Sequence, residues 1–286
     1  MKVNKVGDRG LLFSFEDPYF TNSYVIEGER RIYVLDTQCG PNLMLALIKH
    51  LEKMGISDKD FVIFNSHEDY DHIWGNCAFS NSIIISHSIC RDIIISEGEK
   101  NLDKYAEFKR GDVILVPPNL VFDSRLNFSD DGIDFFFTPG HQLGCASVYD
   151  RKDRVLFVGD NVENPFPYIN EPNFDEYIKT LERYTKMDWK YVITGHNPII
   201  TGTKLIEKNI DYLKRIKDWI VDFDSLSKSE RSVHITNLTN LTDKMRWNSL
   251  STQAKETYQE AISYLQHLEK NPVILEKLDK LIRFQS

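Results

Sequence analysis

Short apolar runs closed by glycine, proline or polar residues dominate the first two thirds of the chain. Leu11 to Phe15 and Tyr24 to Glu27 read as strands joined through Asp17-Pro18. Arg31 to Asp36 follows across a Gly28-Glu29-Arg30 turn, which makes a hairpin. Leu43, Leu47, Ile48 and Leu51 then recur at helical spacing, with Pro41 suited to the first turn and Gly55 just past the end. Phe61 to Phe64 is the next strand, so this strand-helix-strand unit implies a crossover connection. Ser82 to Ser86 is a further apolar run, ending at His87 and leading into a helix. Gly98 to Gly111 is polar and charged and reads as an exposed helical excursion. Val121-Phe122, Leu126 to Phe128 and Ile133 to Thr138 are strand-like, with a turn at Ser129 to Gly132. Ala146 to Tyr149 and Arg154 to Val158 form a hairpin across Asp150 to Asp153. Phe174 to Met187 is a helix with Tyr177, Leu181 and Tyr184 on one face, and Tyr191 to Thr194 is a last strand.

After Thr203 the texture changes. Lys204 to Phe223 reads as a long amphipathic helix with Leu205, Ile206, Ile210, Leu213, Ile216 and Ile220 as its apolar stripe. Ser225 to Asn240 reads as polar and weakly structured, and Ser251 to Leu268 and Val273 to Phe284 as two more helices. No internal repeat is visible. Isolated amphipathic helices are marginal in water. These stripes are therefore expected either to pack over the preceding domain or to pair two copies of the chain.

Composition narrows the class without naming a function. The chain has 286 residues, with 35 Lys and Arg against 43 Asp and Glu, a formal charge of -8. That balance disfavours nucleic acid as a partner, which calls for a basic patch. No apolar run reaches the length of a membrane span. Met1 to Asp8 lacks the apolar core of a signal peptide. Cys39, Cys77, Cys90 and Cys145 form no C-x-x-C pair and read as free thiols in a reducing compartment, with Cys39, Cys77 and Cys145, near the motifs, expected as small buried residues. The expectation is a cytoplasmic protein with no membrane association and a small-molecule substrate.

The chemistry concentrates in His67-Glu68-Asp69-Tyr70-Asp71-His72, which packs two histidines and three carboxylates into six residues directly after a predicted strand. Imidazole and carboxylate at this density suit a metal ion. Alternation in an extended segment would put His67, Asp69 and Asp71 on one face, with His72 turning in at the loop. Three more strands end in metal-capable residues, each after a glycine: His141, Asp160 and His196. His50, His87, His234 and His267 lack this setting. His50 and His267 are expected on exposed helix faces, and His87 and His234 as structural histidines. Tyr70, Trp74, Asn161, Asn164, Tyr168 and Asn197 lie in the motif loops, with packing or loop chemistry the first expectation and pocket lining the second.

In order and spacing these residues resemble the metallo-β-lactamase superfamily, whose pattern is H-x-H-x-D-H, then a Gly-His, a Gly-Asp and a final Gly-His. Asn22-Ser23-Tyr24, Leu35-Asp36-Thr37 and Thr138-Pro139-Gly140-His141 add minor matches. The resemblance runs from Leu11 to about Thr203. It implies an α/β fold, the αββα sandwich, over residues 1–203, followed by a C-terminal helical extension over 204–286. It also implies two divalent metal ions at one edge between two sheets, zinc first, with iron or manganese as alternatives. Carried over position by position, one ion would take His67, Asp69 and His141, the other Asp71, His72 and His196, with Asp160 bridging. Asp71 would also steer the attacking hydroxide or take up its proton. The activity implied is hydrolysis of an ester, thioester or lactone-type small molecule, since the run through Asp71-His72-Ile73-Trp74-Gly75-Asn76 looks like the glyoxalase II and lactonase branch.

One position departs. The second histidine of the pattern is Asp69, where flavodiiron proteins of the same superfamily carry a glutamate and bind iron. A di-iron protein reacting with oxygen or nitric oxide is therefore an alternative, although no flavodoxin-like domain is visible to supply flavin. A catalytically weak, ligand-sensing protein is another. A homodimer through the C-terminal helices is compatible with each.

Overall fold

The computed structural model of the chain describes residues 1–56, 58–79, 81–242, 251–267 and 277. It divides into two compact units, Met1–Asn161 with Met187–Thr203, and Val162–Lys186 with Lys204–Ser286. The second unit takes in the Val162–Lys186 segment as well as the residues after Thr203.

The first unit holds two sheets. One has seven strands in sequence order: β1 (Lys2–Val6), β2 (Gly10–Phe15), β3 (Thr21–Glu27), β4 (Arg31–Leu35), β5 (Asp60–Phe64), β6 (Ile83–His87) and β7 (Leu120–Phe122). Pairing is antiparallel from β1 to β4 and parallel from β4 to β7. The crossover between β4 and β5 is α1 (Pro41–Met54). It starts on a proline and stops at Gly55, whose left-handed φ of 74° closes the helix. The second sheet runs β12 (Tyr191–Ile193), β11 (Val155–Phe157), β10 (Ala146–Asp150), β9 (Ile133–Phe137) and β8 (Arg125–Phe128), with only β11 and β12 parallel. β1 was not evident in the sequence. Its Lys-Val-Asn-Lys-Val pattern is that of an edge strand, where lysine keeps the open side from pairing further.

Strand periodicity explains both cores. Along β4 and β5, Tyr33, Leu35, Val62 and Phe64 point to one face, where they meet Ile133, Phe135, Val148 and Phe157 of the second sheet. Ile32, Val34 and Ile63 point the other way and pack with Met44, Leu47 and Leu51 of α1. Strands buried on both faces have no polar side, which is why they read as unbroken apolar runs. The expected exposed excursion at Gly98 to Gly111 differs. Gly98 lies inside α3 (Ser88–Lys104), and Leu102, Tyr105 and Phe108, with Val113 and Leu115 beyond, pack against Ile73 and Trp74.

In the second unit, α4 (Phe174–Lys186) packs with α5 (Lys204–Lys217). α5 ends earlier than its stripe predicts. Trp219 takes a left-handed φ of 56°, the Ile220 N–H returns to the Arg215 carbonyl (2.9 Å), and Ile220 is left 51 % exposed. Ser225 to Asn240, expected to be weakly structured, is largely α6 (Lys228–Thr242). Polar His234, Asn237 and Thr239 are buried among Val233, Ile235, Leu238 and Leu241, which blurs its apolar periodicity. Buried Asn237 donates to the Pro167 carbonyl (2.9 Å) and the Tyr212 hydroxyl (3.0 Å), and accepts from the Ile169 N–H (2.9 Å). The Tyr212 hydroxyl in turn meets His234 Nδ1 at 3.0 Å, and the Tyr212 ring stacks on Phe166. α7 (Thr252–Gln266) is capped by Ser251, which accepts from the Ala254 N–H (3.2 Å). The helix expected over Val273 to Phe284 lies outside the described residues. Among those described, no helix is long and apolar enough to cross a membrane.

His234 is fully buried, and burial, followed by the positive charge of Arg215, lowers its pKa to about 4. A histidine lowered in the folded state contributes stability that is complete above its ordinary pKa of about 6.5 and is lost as pH falls toward 4. That loss is about 2 kcal/mol between pH 7 and pH 5. His234→Gln keeps a hydrogen-bonding side chain without the titration. Its melting temperature is expected to fall less than the parent's over that interval, and parallel thermal-melt profiles would count against it.

Candidate metal centre

The site is assembled where β5, β9, β11 and β12 end. β4 and β5 are parallel and in register, Leu35 opposite Phe64, so Asp36 and Ser66 emerge side by side. Asp36 takes a left-handed φ of 61°, a conformation aspartate tolerates better than most residues, and its carboxylate is fully buried. Oδ1 accepts the Ser66 N–H (2.7 Å), and Oδ2 accepts both the Ser66 hydroxyl (2.7 Å) and His72 Nδ1–H (2.7 Å). Since the Ser66 hydroxyl donates to Asp36, it accepts from His67 Nδ1–H (2.9 Å). A carboxylate can only accept, so both imidazoles carry a proton on Nδ1 and turn Nε2 away from Asp36.

Asp69 is extended, with φ −68° and ψ 143°, but His67 lies in a bend and no strand alternation continues past it. Asp69 occupies the N-cap position of a single helical turn, α2 (Tyr70–Ile73). Helical spacing, not strand spacing, therefore brings in Asp71 and His72. The turn is pinned at the His72 carbonyl, which accepts from the Thr37 N–H (2.8 Å) and Asn65 Nδ2 (3.1 Å).

The other sheet supplies the remaining three. The His141 N–H donates to Asn161 Oδ1 (3.0 Å), tying the turn after β9 to the one after β11. His196 Nδ1–H donates to the Phe20 carbonyl (2.9 Å), and Asn22 Nδ2 holds the same loop through the carbonyls of Thr194 (3.0 Å) and Asn197 (2.8 Å). Gly195 is there for space. A Cβ would stand 2.0 Å from Asp160 Oδ1 and 2.8 Å from His72 Cε1. Gly159 combines crowding with conformation, since its φ is 53° and a Cβ would stand 2.5 Å from Ser66 Oγ.

All seven residues singled out in the sequence meet. Three overlapping groups form: His67, Asp69 and His141; His67, His72 and Asp160; and Asp71, His72 and His196, with the ligand atoms of each within 4.8 Å of one another. Asp69 Oδ2 lies 3.4 Å from His67 Nε2 and 3.1 Å from His141 Nε2. Asp71 Oδ2 lies 3.6 Å from His72 Nε2 and 3.3 Å from His196 Nε2. Asp160 Oδ2 belongs to both halves, at 3.7, 3.3 and 3.1 Å from the Nε2 atoms of His67, His72 and His196. The side chains of Asp69 and His196 are 34 % and 22 % exposed, and the other five are nearly closed, so the centre opens at its two ends.

The donor set fits divalent cations. His67 Nε2 and His72 Nε2 are buried with no hydrogen-bond partner, an arrangement that costs about 1–3 kcal/mol per atom unless something else binds there. Burial drives the Asp160 carboxyl up, yet His196 and His72 hold it well below the usual range. Burial alone would lower His72 and His196, but Asp160 and the neighbouring carboxylates push both well above the ordinary histidine value. The cluster therefore draws positive charge inward, and a cation entering it displaces protons.

Residues 17–196 match the family model described as the metallo-beta-lactamase superfamily. The chain belongs to that superfamily. It is 31 % identical over 167 residues to a probable metallo-hydrolase from Methanocaldococcus jannaschii, covering 56 % of this chain and 68 % of that one. It is 27 % identical over 170 residues to an N-acyl homoserine lactonase from Bacillus cereus, covering 53 % of this chain and 62 % of that one. Among solved structures, metallo-beta-lactamases from Pontibacter korlensis (TM-score 0.59, 14 % identity, 74 % of this chain and 98 % of that one) and Hirschia baltica (TM-score 0.58, 15 % identity, 74 % and 96 %) share the fold. With the histidine and aspartate cluster in place, membership makes this a metal-dependent hydrolase of the metallo-beta-lactamase fold.

Several supports leave little trace in the sequence. Asp36 and Asn22 fall only within minor motif matches, and nothing in the pattern marks Ser66 or Gln142 as supports. Asp36 carried a usable signal, a carboxylate closing an apolar strand before threonine. Asn161 is loop chemistry: fully buried, it also donates to the Thr138 carbonyl (2.8 Å). His87 is structural, capping α3 at the Ile89 N–H and stacking on Phe137. Gly195→Ala is expected to cost about 1–3 kcal/mol through overpacking, and to lower bound metal per chain by displacing Asp160. Unchanged melting temperature and metal content would contradict the close packing.

Proposed function

We propose that the chain is a dinuclear hydrolase acting on an ester, thioester or lactone-type small molecule. His67, Asp69 and His141 would hold one ion, Asp71, His72 and His196 the other, and Asp160 both. The observation carrying this reading is the position of Asp160 Oδ2, facing imidazoles of both groups at 3.1 to 3.7 Å. Bound divalent cations supply an activated water and polarise the bond under attack. The chain's own residues do the rest. Asp36, Ser66 and Phe20 accept the Nδ1 protons of His72, His67 and His196, so each ring turns Nε2 inward, where a cation would displace any proton it carries. Asp71, on its helical turn, steers the attacking water and takes up its proton. The lactonase among the relatives supports the substrate class, and the loops around the centre decide within it.

Metal-replete protein is expected to turn over at least one member of an ester, thioester and lactone panel, to lose that activity to a chelator and to recover it with a divalent metal. Full occupancy with no turnover across the panel would favour a ligand-sensing protein instead.

Asp69 bears on the choice of metal. A third carboxylate makes the centre harder and less positive than an imidazole would, which favours iron or manganese over zinc. This same feature supports the di-iron reading. Reconstituted Asp69→His protein is expected to show a higher zinc-to-iron ratio than the parent under identical competition. Equal ratios would remove support for iron.

A further inference from the structure

A carboxylate in the place of an imidazole raises a problem of aim. Imidazole presents one lone pair in a direction set by its ring. Carboxylate has two oxygens and turns about a broad torsion. Asp69 is moreover the most exposed of the seven, with its side chain 34 % accessible, and it sits ahead of a helical turn of four residues. Something must decide which oxygen faces His67 and His141.

The structure holds the carboxylate from one side. Gln142 Nε2 donates to Asp69 Oδ1 at 2.9 Å and to Oδ2 at 3.2 Å. Since the carboxylate only accepts, the amide nitrogen must be the atom facing it. Gln142 is itself fixed. Its carbonyl accepts from the Gly140 N–H (3.2 Å) and the Cys145 N–H (3.4 Å), and its own N–H donates to Cys145 Sγ (3.3 Å). His141 and Gln142 are consecutive in this turn, so one turn carries both an imidazole at 3.1 Å from Oδ2 and the amide that sets how Asp69 meets it.

We infer that Gln142 is a positioning residue for the metal centre: its amide, closer to Oδ1 (2.9 Å) than to Oδ2 (3.2 Å), fixes the turn of the carboxylate so that Asp69 presents Oδ2 to the imidazoles, as a one-oxygen ligand in the direction an imidazole nitrogen would take. The inference rests on the metal-centre reading above. In its terms Asp69 and Gln142 form one unit, and the amide has value only while a carboxylate stands at position 69.

The test is a double-mutant cycle read by metal binding. Wild type, Gln142→Met, Asp69→His and the double variant are stripped of metal and titrated with cobalt(II) and zinc(II) against a chromophoric chelator. Metal per chain and the cobalt visible spectrum are recorded alongside. Gln142→Met keeps length and volume and removes both donors. It is expected to weaken one bound equivalent about tenfold or more and to alter the cobalt spectrum. In the Asp69→His background the same change is expected to do neither. Gln142→Glu, which sets a second carboxylate against the first, is expected to weaken binding at least as much as Gln142→Met. Equal losses in both backgrounds would make Gln142 a merely structural part of its turn, and no loss in either would remove its role; both overturn the inference. Wild-type protein that binds no divalent metal would overturn the metal-centre reading itself, and this inference with it. Circular dichroism of the stripped proteins identifies a variant that fails to fold, and Gln142→Glu then carries the comparison.

Discussion

The buried carboxylate of Asp36 is the constraint on which the rest of the centre depends. An imidazole can offer Nε2 to a cation only if its proton sits on Nδ1, and each Nδ1 proton needs an acceptor. Asp36 serves His72 directly and His67 through the Ser66 hydroxyl. Its own burial is satisfied by three donors at 2.7 Å. The arrangement requires the ends of β4 and β5 to lie adjacent, which a parallel pair joined by α1 provides. Asp36 thus converts a strand register into a tautomer.

The second sheet must then be brought to the same edge. The inter-sheet core sets the spacing, with Phe64 and Phe135 rings 5.2 Å apart. Two backbone hydrogen bonds close the rim: Ala146 N–H to the Ser66 carbonyl, and Asn22 N–H to the Gly195 carbonyl, both at 2.8 Å. Ligand atoms from residues more than a hundred positions apart therefore meet within a few ångströms. Gly159 and Gly195 allow the approach because a Cβ at either would occupy the space of a neighbouring side chain.

The solved relatives share this frame at 14 to 15 % identity, so the frame is compatible with widely different sequences. At Asp69, with the Gln142 amide beside it, this chain departs from the superfamily pattern. The centre carries three carboxylates among its seven groups, two at the positions the superfamily pattern shares and one at a position where that pattern has histidine. An added negative charge on the open side changes both the hardness of the donor set and the field met by an approaching substrate.

The sequence by itself determined the strands buried on both faces, the crossover helix from Pro41 to Gly55, and the seven residues that meet. These signals are local: apolar runs, helical spacing, and polar residues placed directly after strands. Tertiary structure decided the rest. Whether Asp71 and His72 enter from a strand or a helical turn depends on carbonyl and amide partners at Thr37 and Asn65, thirty-odd and a few residues away. α6 reads as unstructured because its buried apolar residues, Val233, Ile235, Leu238 and Leu241, are interleaved with buried His234, Asn237 and Thr239, and the burial of His234 and Asn237 is favourable only once Tyr212 and the 167–169 backbone supply partners. Gln142 reads as an ordinary turn residue until folding brings Asp69, seventy-three positions earlier, to its amide. Hydrophobic periodicity records which face is buried, and a polar contact made across the fold leaves no such trace in the chain.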